Sequence, residues 1–306
     1  MHAPVLLKQV VDLLRVRPGG VYVDGTLGGG GHAEAILRAM GEGGLLVGID
    51  RDPEALGRAA DRLQHRASKC VFEQGNFADM KAIVQRHGIG EVDGIVLDLG
   101  MSSDQVDTAR RGFSFQHEGP LDMRMNPEQQ ATAASLLATL DERELADLLY
   151  RLGEERASRR IARAIVAERA ASPIHSTVQL AELVARVKGG PRGRIHPATQ
   201  TFQALRMAVN RELESLEAGL EDGTALLRPG GRMAVISFHS IEDRLVKRTV
   251  AQHEGRWESL AAGGRRWEGR MPQVRRVTRK PVVADEEEVR ANPRSRSAKL
   301  RVWERI

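Results

Sequence analysis

The first hundred residues alternate between two patterns. Short apolar runs ending in Gly or Asp occur at Val21–Asp24, Leu45–Asp50, Cys70–Glu73 and Gly94–Leu99. Between them, His32–Met40 and Pro53–Gln64 carry apolar residues at helical spacing. Strand, helix, strand in this rhythm predicts a parallel sheet built from right-handed crossovers. After Leu99 the strand pattern stops, and from about Gly112 to about Asn210 the chain reads as helix. Asn126-Pro127-Glu128 predicts a helix start with Pro at the first helical position. Asp141-x-x-Glu144 predicts a capping box ahead of Leu145, Leu148 and Leu149. Arg159–Arg169 and Thr177–Val187 predict further helices. The strand pattern then returns. Arg228-Pro229-Gly230-Gly231 predicts a turn, Arg232–Phe238 a buried strand and Ile241–Gln252 a helix, with late strands at Val274–Thr278 and Lys299–Trp303. The expected fold is α/β. Residues 1–111 and 211–306 form one discontinuous core, and 112–210 an inserted all-helical domain.

Composition narrows the class. A chain of 306 residues with 41% hydrophobic content can bury a large core and a smaller one, which excludes a disordered protein. A formal charge of +5 favours a polyanionic partner without bearing on the fold. Cys70 is the only cysteine, so no internal disulfide is available. With no signal peptide in the sequence, a reducing, cytoplasmic location is expected. No run approaches the roughly 18 apolar residues of a membrane span, so no membrane partner is expected. The oligomeric state stays open, a homodimer included.

Candidate chemistry concentrates at the strand ends. Val21 to Asp24 runs into Gly25-Thr26-Leu27 and then Gly28 to Gly31 ahead of His32. Glycines after a strand let the backbone approach a ligand, and the following helix start offers free N–H groups. Gly28-x-Gly30-x-x-Ala33, with Asp50 ending the second strand, also fits the dinucleotide fingerprint. In either setting Asp50 can accept from both ribose hydroxyls. Phe77 follows the third strand, where an aromatic edge can lie beside an adenine or fill the core. Asp98 follows four apolar strand residues at the expected switch point of the sheet and needs a partner. A cationic amino-acid group, which S-adenosylmethionine carries and a dinucleotide lacks, would serve.

The ordered set of motifs resembles the bacterial 16S ribosomal RNA cytosine-N4 methyltransferases, the RsmH (formerly MraW) family. The matching pieces begin with His2-x-Pro4-Val5-Leu6-Leu7, Asp24-Gly25-Thr26 with the glycines through His32, and Ile49-Asp50-Arg51-Asp52. They continue with Leu97-Asp98-Leu99-Gly100-Met101-Ser102-Ser103-x-Gln105, Arg111 to Phe115 and Gly119 to Met125. Gly153-Glu154-Glu155-Arg156, His196 to Thr199, Thr201 to Arg206, Ser237 to Arg244 and Asn292 to Ser297 complete the set. Only the stretch from about Gln252 to Gln273 lacks a motif. The resemblance implies a Rossmann-like, S-adenosylmethionine-dependent core carrying an inserted helical substrate domain. It places the cofactor contacts on Gly30, Gly31, His32, Asp50, Phe77, Asp98 and Gln105. It implies methylation of N4 of a decoding-centre cytosine in 16S ribosomal RNA, within the small ribosomal subunit.

A cytosine amine is a weak nucleophile facing an activated methyl, so such a site must chiefly align the reactants and accept from the amine. The Asn/Asp-Pro-Pro-aromatic turn of many amino-methyltransferases is absent after Asp98. The candidates for handling the amine are therefore Asp98, Ser102, Ser103 and His239, the serines also being able simply to cap a turn and His239 to be structural. No cluster has metal-ligand spacing. The arginines of 256–280, notably Arg265, Arg266 and Arg270, interleaved with Trp257 and Trp267, fit a grip on single-stranded RNA or an ordinary solvated charged face. Arg151, Arg156, Arg159, Arg160 and Arg163 can line a groove or pair with neighbouring glutamates. Two other functions remain open: a nicotinamide-dependent oxidoreductase, and a non-enzymatic RNA-binding assembly factor on a methyltransferase core.

Overall fold

A computed structural model of the chain describes residues 4–65, 70–190, 196–268 and 271–306. His2 and Arg270 lie outside the described residues. The chain forms two compact units, Met1–Gly100 with Leu213–Ile306, and Met101–Glu212.

The first unit opens with α1 (Leu7–Leu14), β1 (Val21–Asp24), α2 (Gly31–Met40), β2 (Leu45–Asp50), α3 (Pro53–Leu63), β3 (Cys70–Gln74), α4 (Met80–Arg86) and β4 (Val92–Asp98). The second unit then holds α5 (Ser103–Asp107), α6 (Ala133–Thr139), α7 (Glu142–Gly153), α8 (Ser158–Ala171), α9 (Thr177–Lys188) and α10 (Thr199–Asn210). The first unit resumes with α11 (Glu212–Leu226), β5 (Leu227–Ser237), α12 (Ser240–Glu254), β6 (Arg256–Ser259), β7 (Arg265–Glu268), β8 (Val274–Arg276), α13 (Glu286–Ala291) and β9 (Lys299–Arg305).

Seven strands form one sheet in the order β3-β2-β1-β4-β5-β9-β8. The pairs from β3 to β5 are parallel, while β9 runs antiparallel to both β5 and β8. Strand residues feed two cores in alternation. Val23, Val47, Ile49, Ile95, Leu97, Met233 and Val235 join one core with α4, α11 and α12. Tyr22, Leu46, Val96, Ala234 and Ile236 join the other with α1, α2 and α3. Apolar residues on both faces are what a sheet covered by helices on both sides demands. The fold is therefore Rossmann-like, with its switch point between β1 and β4.

The helical unit has its own core of Leu137, Leu145, Leu149, Ile161, Ile165, Leu180, Val184 and Leu205, among others. Its α7 starts with the capping box anticipated from Asp141 and Glu144.

Two local expectations are corrected. Asn126-Pro127-Glu128 makes a turn, not a helix start, and α6 begins only at Ala133 behind a Thr132/Ser135 capping box. The reason is Arg124, whose Nη1 donates to the carbonyls of Pro127 and Gln129 and so takes acceptors that a helix would use. Arg228 to Gly231 does not separate two elements but lies within β5 as an irregularity. The register passes from Val92↔Leu227 to Gly94↔Arg232, and Arg228 is ion-paired with Asp93.

Candidate active site at the carboxyl ends of the strands

Three acids end three adjacent strands: Asp50 on β2, Asp24 on β1 and Asp98 on β4. Asp50 organises the loop beside it. Its Oδ2 accepts from the Gly28 N–H at 2.7 Å and its Oδ1 from the Asp52 N–H at 2.9 Å. Burial pushes its pKa up, against the pull of those two donors. The loop turns through Gly30, whose N–H donates to the Leu27 carbonyl at 2.8 Å and whose φ of 74° is left-handed. A Cβ on Gly31 would collide with the Pro4 ring. Gly30 and Gly31 thus open α2 with no side chain of their own between backbone and ligand.

His32, in the first turn of α2, is buried. Its Nε2 bonds to the Val5 carbonyl oxygen at 2.9 Å, and burial pushes its pKa down to about 4. The ring is therefore neutral, Nε2 donates to that carbonyl, and the Nδ1 lone pair lies 3.8 Å from Asp98 Oδ2.

Asp98 is the most perturbed acid. Its backbone N–H donates to Thr26 Oγ1 at 2.6 Å, but its Oδ1 is buried without a hydrogen-bond partner. Burial, then the carboxylates of Asp24 and Glu242, push its pKa up to about 8. Asp24 accepts from the Thr26 N–H at 3.2 Å and from the Ala33 backbone, and its Oδ2 is likewise unpartnered. Burial pushes Asp24 up to about 7, with the Asp50 charge adding to it. Glu242, 3% exposed, accepts on Oε2 from the Phe238 and His239 N–H groups at 2.9 and 3.3 Å. Buried carboxylates that raise one another's pKa, with oxygens left unsatisfied, are stabilised by a positive charge. Among the described residues no group of His, Cys, Asp or Glu is arranged to hold a metal.

The other candidates are placed as follows. His239 is the N-cap of α12: Nδ1 accepts from the Glu242 N–H at 3.4 Å and Nε2 lies 3.1 Å from Glu242 Oε1. Phe77 is half-buried, packed against Gly219 of α11 and Gly25, with the Arg51 guanidinium 5.9 Å from its ring centre. Ser102, Ser103 and Gln105 belong to the helical unit. Ser102 caps α5, accepting from the Gln105 N–H at 3.2 Å, while the buried Gln105 accepts from the Ser102 N–H at 3.0 Å. Ser103 is the first residue of that helix.

The basic segment resolves unevenly. Arg265 and Arg266 are exposed on β7, and β6 and β7 form a two-stranded sheet with Trp257 in register with Trp267. Arg275 and Arg276 are instead tied to Glu304 and Glu254.

Asp24 and Glu242 were absent from the sequence-based candidates. Asp24 was visible as a strand-ending acid, and Glu242 lies three residues after a cap, a spacing that signals a helix start rather than a charged site.

Comparison with known proteins follows the same direction. A sequence model of the MraW methylase family matches residues 1–306. A ribosomal RNA small subunit methyltransferase H of Syntrophobacter fumaroxidans is 52% identical over 314 residues, covering 99% of this chain and 96% of that protein. The protein of the same name from Geobacter sulfurreducens is 51% identical over 310 residues, covering 100% and 99%. An rRNA methylase structure from Streptococcus thermophilus superposes with a TM-score of 0.44 at 9% identity, covering 100% of this chain and 99% of that one, a likeness too loose to argue from. With the family model matched from end to end and about half of all positions shared with full-length relatives, the chain belongs to the MraW methylase family.

Proposed function

We propose that this protein methylates N4 of a decoding-centre cytosine in 16S ribosomal RNA, within the small ribosomal subunit, using S-adenosyl-L-methionine. One observation carries the choice of donor: the unpartnered buried oxygens of Asp98 and Asp24, with Glu242 beside them, at the switch point of the sheet. They favour a cationic ligand and disfavour a pyrophosphate. Asp24 already accepts from the Ala33 backbone at the α2 N-terminus, where a dinucleotide would place its phosphates. That argues against the nicotinamide reading. The RNA substrate and the cytosine N4 atom rest on the sequence resemblance and on the names carried by the relatives.

S-adenosylmethionine supplies a methyl group on a sulfonium, already electrophilic. In this reading Asp50 receives the ribose hydroxyls, since each of its oxygens keeps a lone pair beyond its backbone donor. Gly30, Gly31 and His32 border the donor, Phe77 lies beside it, and Asp98 faces its cationic amino group. The sequence resemblance adds Gln105, which here belongs to the capping box of α5 in the helical unit. The neutral His32 holds its ring through Val5 and leaves Nδ1 as an acceptor toward Asp98. The Ser237-to-His239 turn is what the α/β unit offers to the cytosine amine, and Ser102 and Ser103 are the candidates carried by the helical unit. Glu242, by gripping the Phe238 and His239 N–H groups, fixes that turn. The helical unit is the substrate-recognition part of the chain.

The test is transfer of labelled methyl from S-adenosylmethionine into small subunits from cells lacking the protein, followed by mass spectrometry of the nucleosides. N4-methylcytidine at a decoding-centre position is the expected product. Label on another atom or another base, or no transfer by donor-competent protein, overturns the assignment.

A further inference from the structure

We propose that the corner between α7 and α8 grips single-stranded RNA, with Tyr150 as a platform for a base and Arg151, Arg156 and Arg159 as contacts to phosphates. The proposal rests on the reading of RNA as substrate and adds where the chain would hold it.

The corner is built rigidly. A Cβ on Gly153 would collide with the Gln200 carbonyl oxygen, so glycine lets α7 close on α10. Gln203 Nε2 donates to the Leu152 carbonyl and Gln200 Nε2 to the Glu154 carbonyl, both at 3.2 Å, so the last carbonyls of α7 are held. Glu155 is 1% exposed. It meets Lys188 at 2.6 Å and accepts from the Ala157 N–H, which starts α8. Its charge is directed inward.

On the outside, exposed arginines outnumber the exposed Asp147 and Glu154. Arg160 donates to the Val187 carbonyl and Arg163 lies 3.4 Å from Glu142, so both serve the helical unit itself. Arg151, Arg156 and Arg159 are exposed and have no hydrogen-bond or ion-pair partner among the described residues. Of the four residues Gly153 to Arg156, the packing gives the first three a structural task and leaves Arg156 without one.

Tyr150, one residue before Arg151 on α7, is 63% exposed. The chain's other tyrosine, Tyr22, is buried, with its hydroxyl bonded to the Arg17 N–H. No other large hydrophobic side chain on α7 or α8 is exposed, so the corner offers no apolar patch of the kind a protein partner would cover. An isolated aromatic face flanked by unpaired guanidinium groups is suited to a stacked base and its phosphates.

Two variants test this, Arg151→Gln/Arg156→Gln/Arg159→Gln together and Tyr150→Ala alone. Affinity for a 16S ribosomal RNA fragment is read by fluorescence anisotropy from 50 to 300 mM KCl, alongside S-adenosylmethionine affinity and methyl transfer. The triple variant should lower the slope of log affinity against log salt by about 2, at about 0.7 per lost phosphate contact, with donor affinity unchanged. Tyr150→Ala should weaken binding about tenfold with the slope kept. A wild-type slope and affinity in the triple variant overturn the proposal. So does lost transfer to assembled subunits with intact affinity for protein-free RNA, which would assign the corner to a ribosomal protein. Failure of the wild-type protein to methylate RNA at all would instead sink the substrate reading, and this surface with it.

Discussion

Binding of the sulfonium donor should release protons and tighten as pH rises from 6 to 7. Asp98 ordinarily would ionise near 3.8, and burial beside Asp24 and Glu242 pushes it up to about 8. A cation bound against it favours the ionised form and lowers that value. With a free-state value of about 8, roughly 1% of Asp98 is ionised at pH 6 and roughly 9% at pH 7, so the dissociation constant should fall about tenfold over that unit. Asp24, pushed up to about 7, adds to the same trend. Isothermal titration calorimetry at pH 6.0, 6.5 and 7.0, in buffers of different ionisation enthalpy, reads both the affinity and the protons released. Asp98→Asn should bind weakly and lose most of the pH dependence. The free protein carries the complementary signature. Because the folded-state value lies above the unfolded one, the folded form holds the proton more tightly, and stability falls as pH rises from about 4 to about 8. Asp98→Asn should therefore melt a few degrees above the wild type at pH 8, relieving a buried charge. An affinity flat from pH 6 to 7 with no protons released would refute the reasoning.

Asp50→Ala should weaken S-adenosylmethionine binding at least tenfold by removing a charged acceptor, with the folded α/β unit intact by circular dichroism; wild-type affinity would remove the ribose assignment. Neutralising Arg265, Arg266 and Arg270 together should weaken RNA binding and flatten its salt dependence, and an unchanged slope returns them to ordinary solvated surface. Asn210→Ala should cost the helical unit about 2–3 kcal/mol in chemical denaturation. Its buried amide donates to the Met123 and Arg206 carbonyls, and its Oδ1 accepts from the Met125 N–H. A change below about 0.5 kcal/mol would mean that other partners satisfy those groups.

Strand positions were legible because both faces of the sheet are covered, so apolar runs rather than alternation mark them. β1 and β2 keep the predicted bounds, and β3 and β4 shift by one or two residues. Caps carried by adjacent residues, as at Asp141 and Glu144, were also readable. Features that depend on distant partners were not. The Arg124 guanidinium reaching Pro127 and Gln129 overrides a sound local helix signal. The Arg228-to-Gly231 segment looks like a turn because nothing local reveals that β4 continues alongside it. At the candidate site, Asp50, Asp98 and the glycine loop announce themselves at strand ends. The convergence of Glu242 on Asp98 requires β5 and α12 to pack beside β4, across more than a hundred intervening residues, and no spacing rule reports it.

The split of the α/β unit around the helical one bears on how the chain is made. The helical unit is contiguous in sequence and has a core of its own, so it can mature on the ribosome while the sheet still lacks three of its seven strands. Until residues beyond 226 emerge, β4 has an unpaired edge, and Ile95 and Leu97 lack the neighbours that Met233 and Val235 later provide. Slow, late closure by distant strands is the step at which a nascent chain of this design is most exposed to aggregation. Pausing or truncation in that window, rather than damage to either finished unit, would limit the yield of active enzyme.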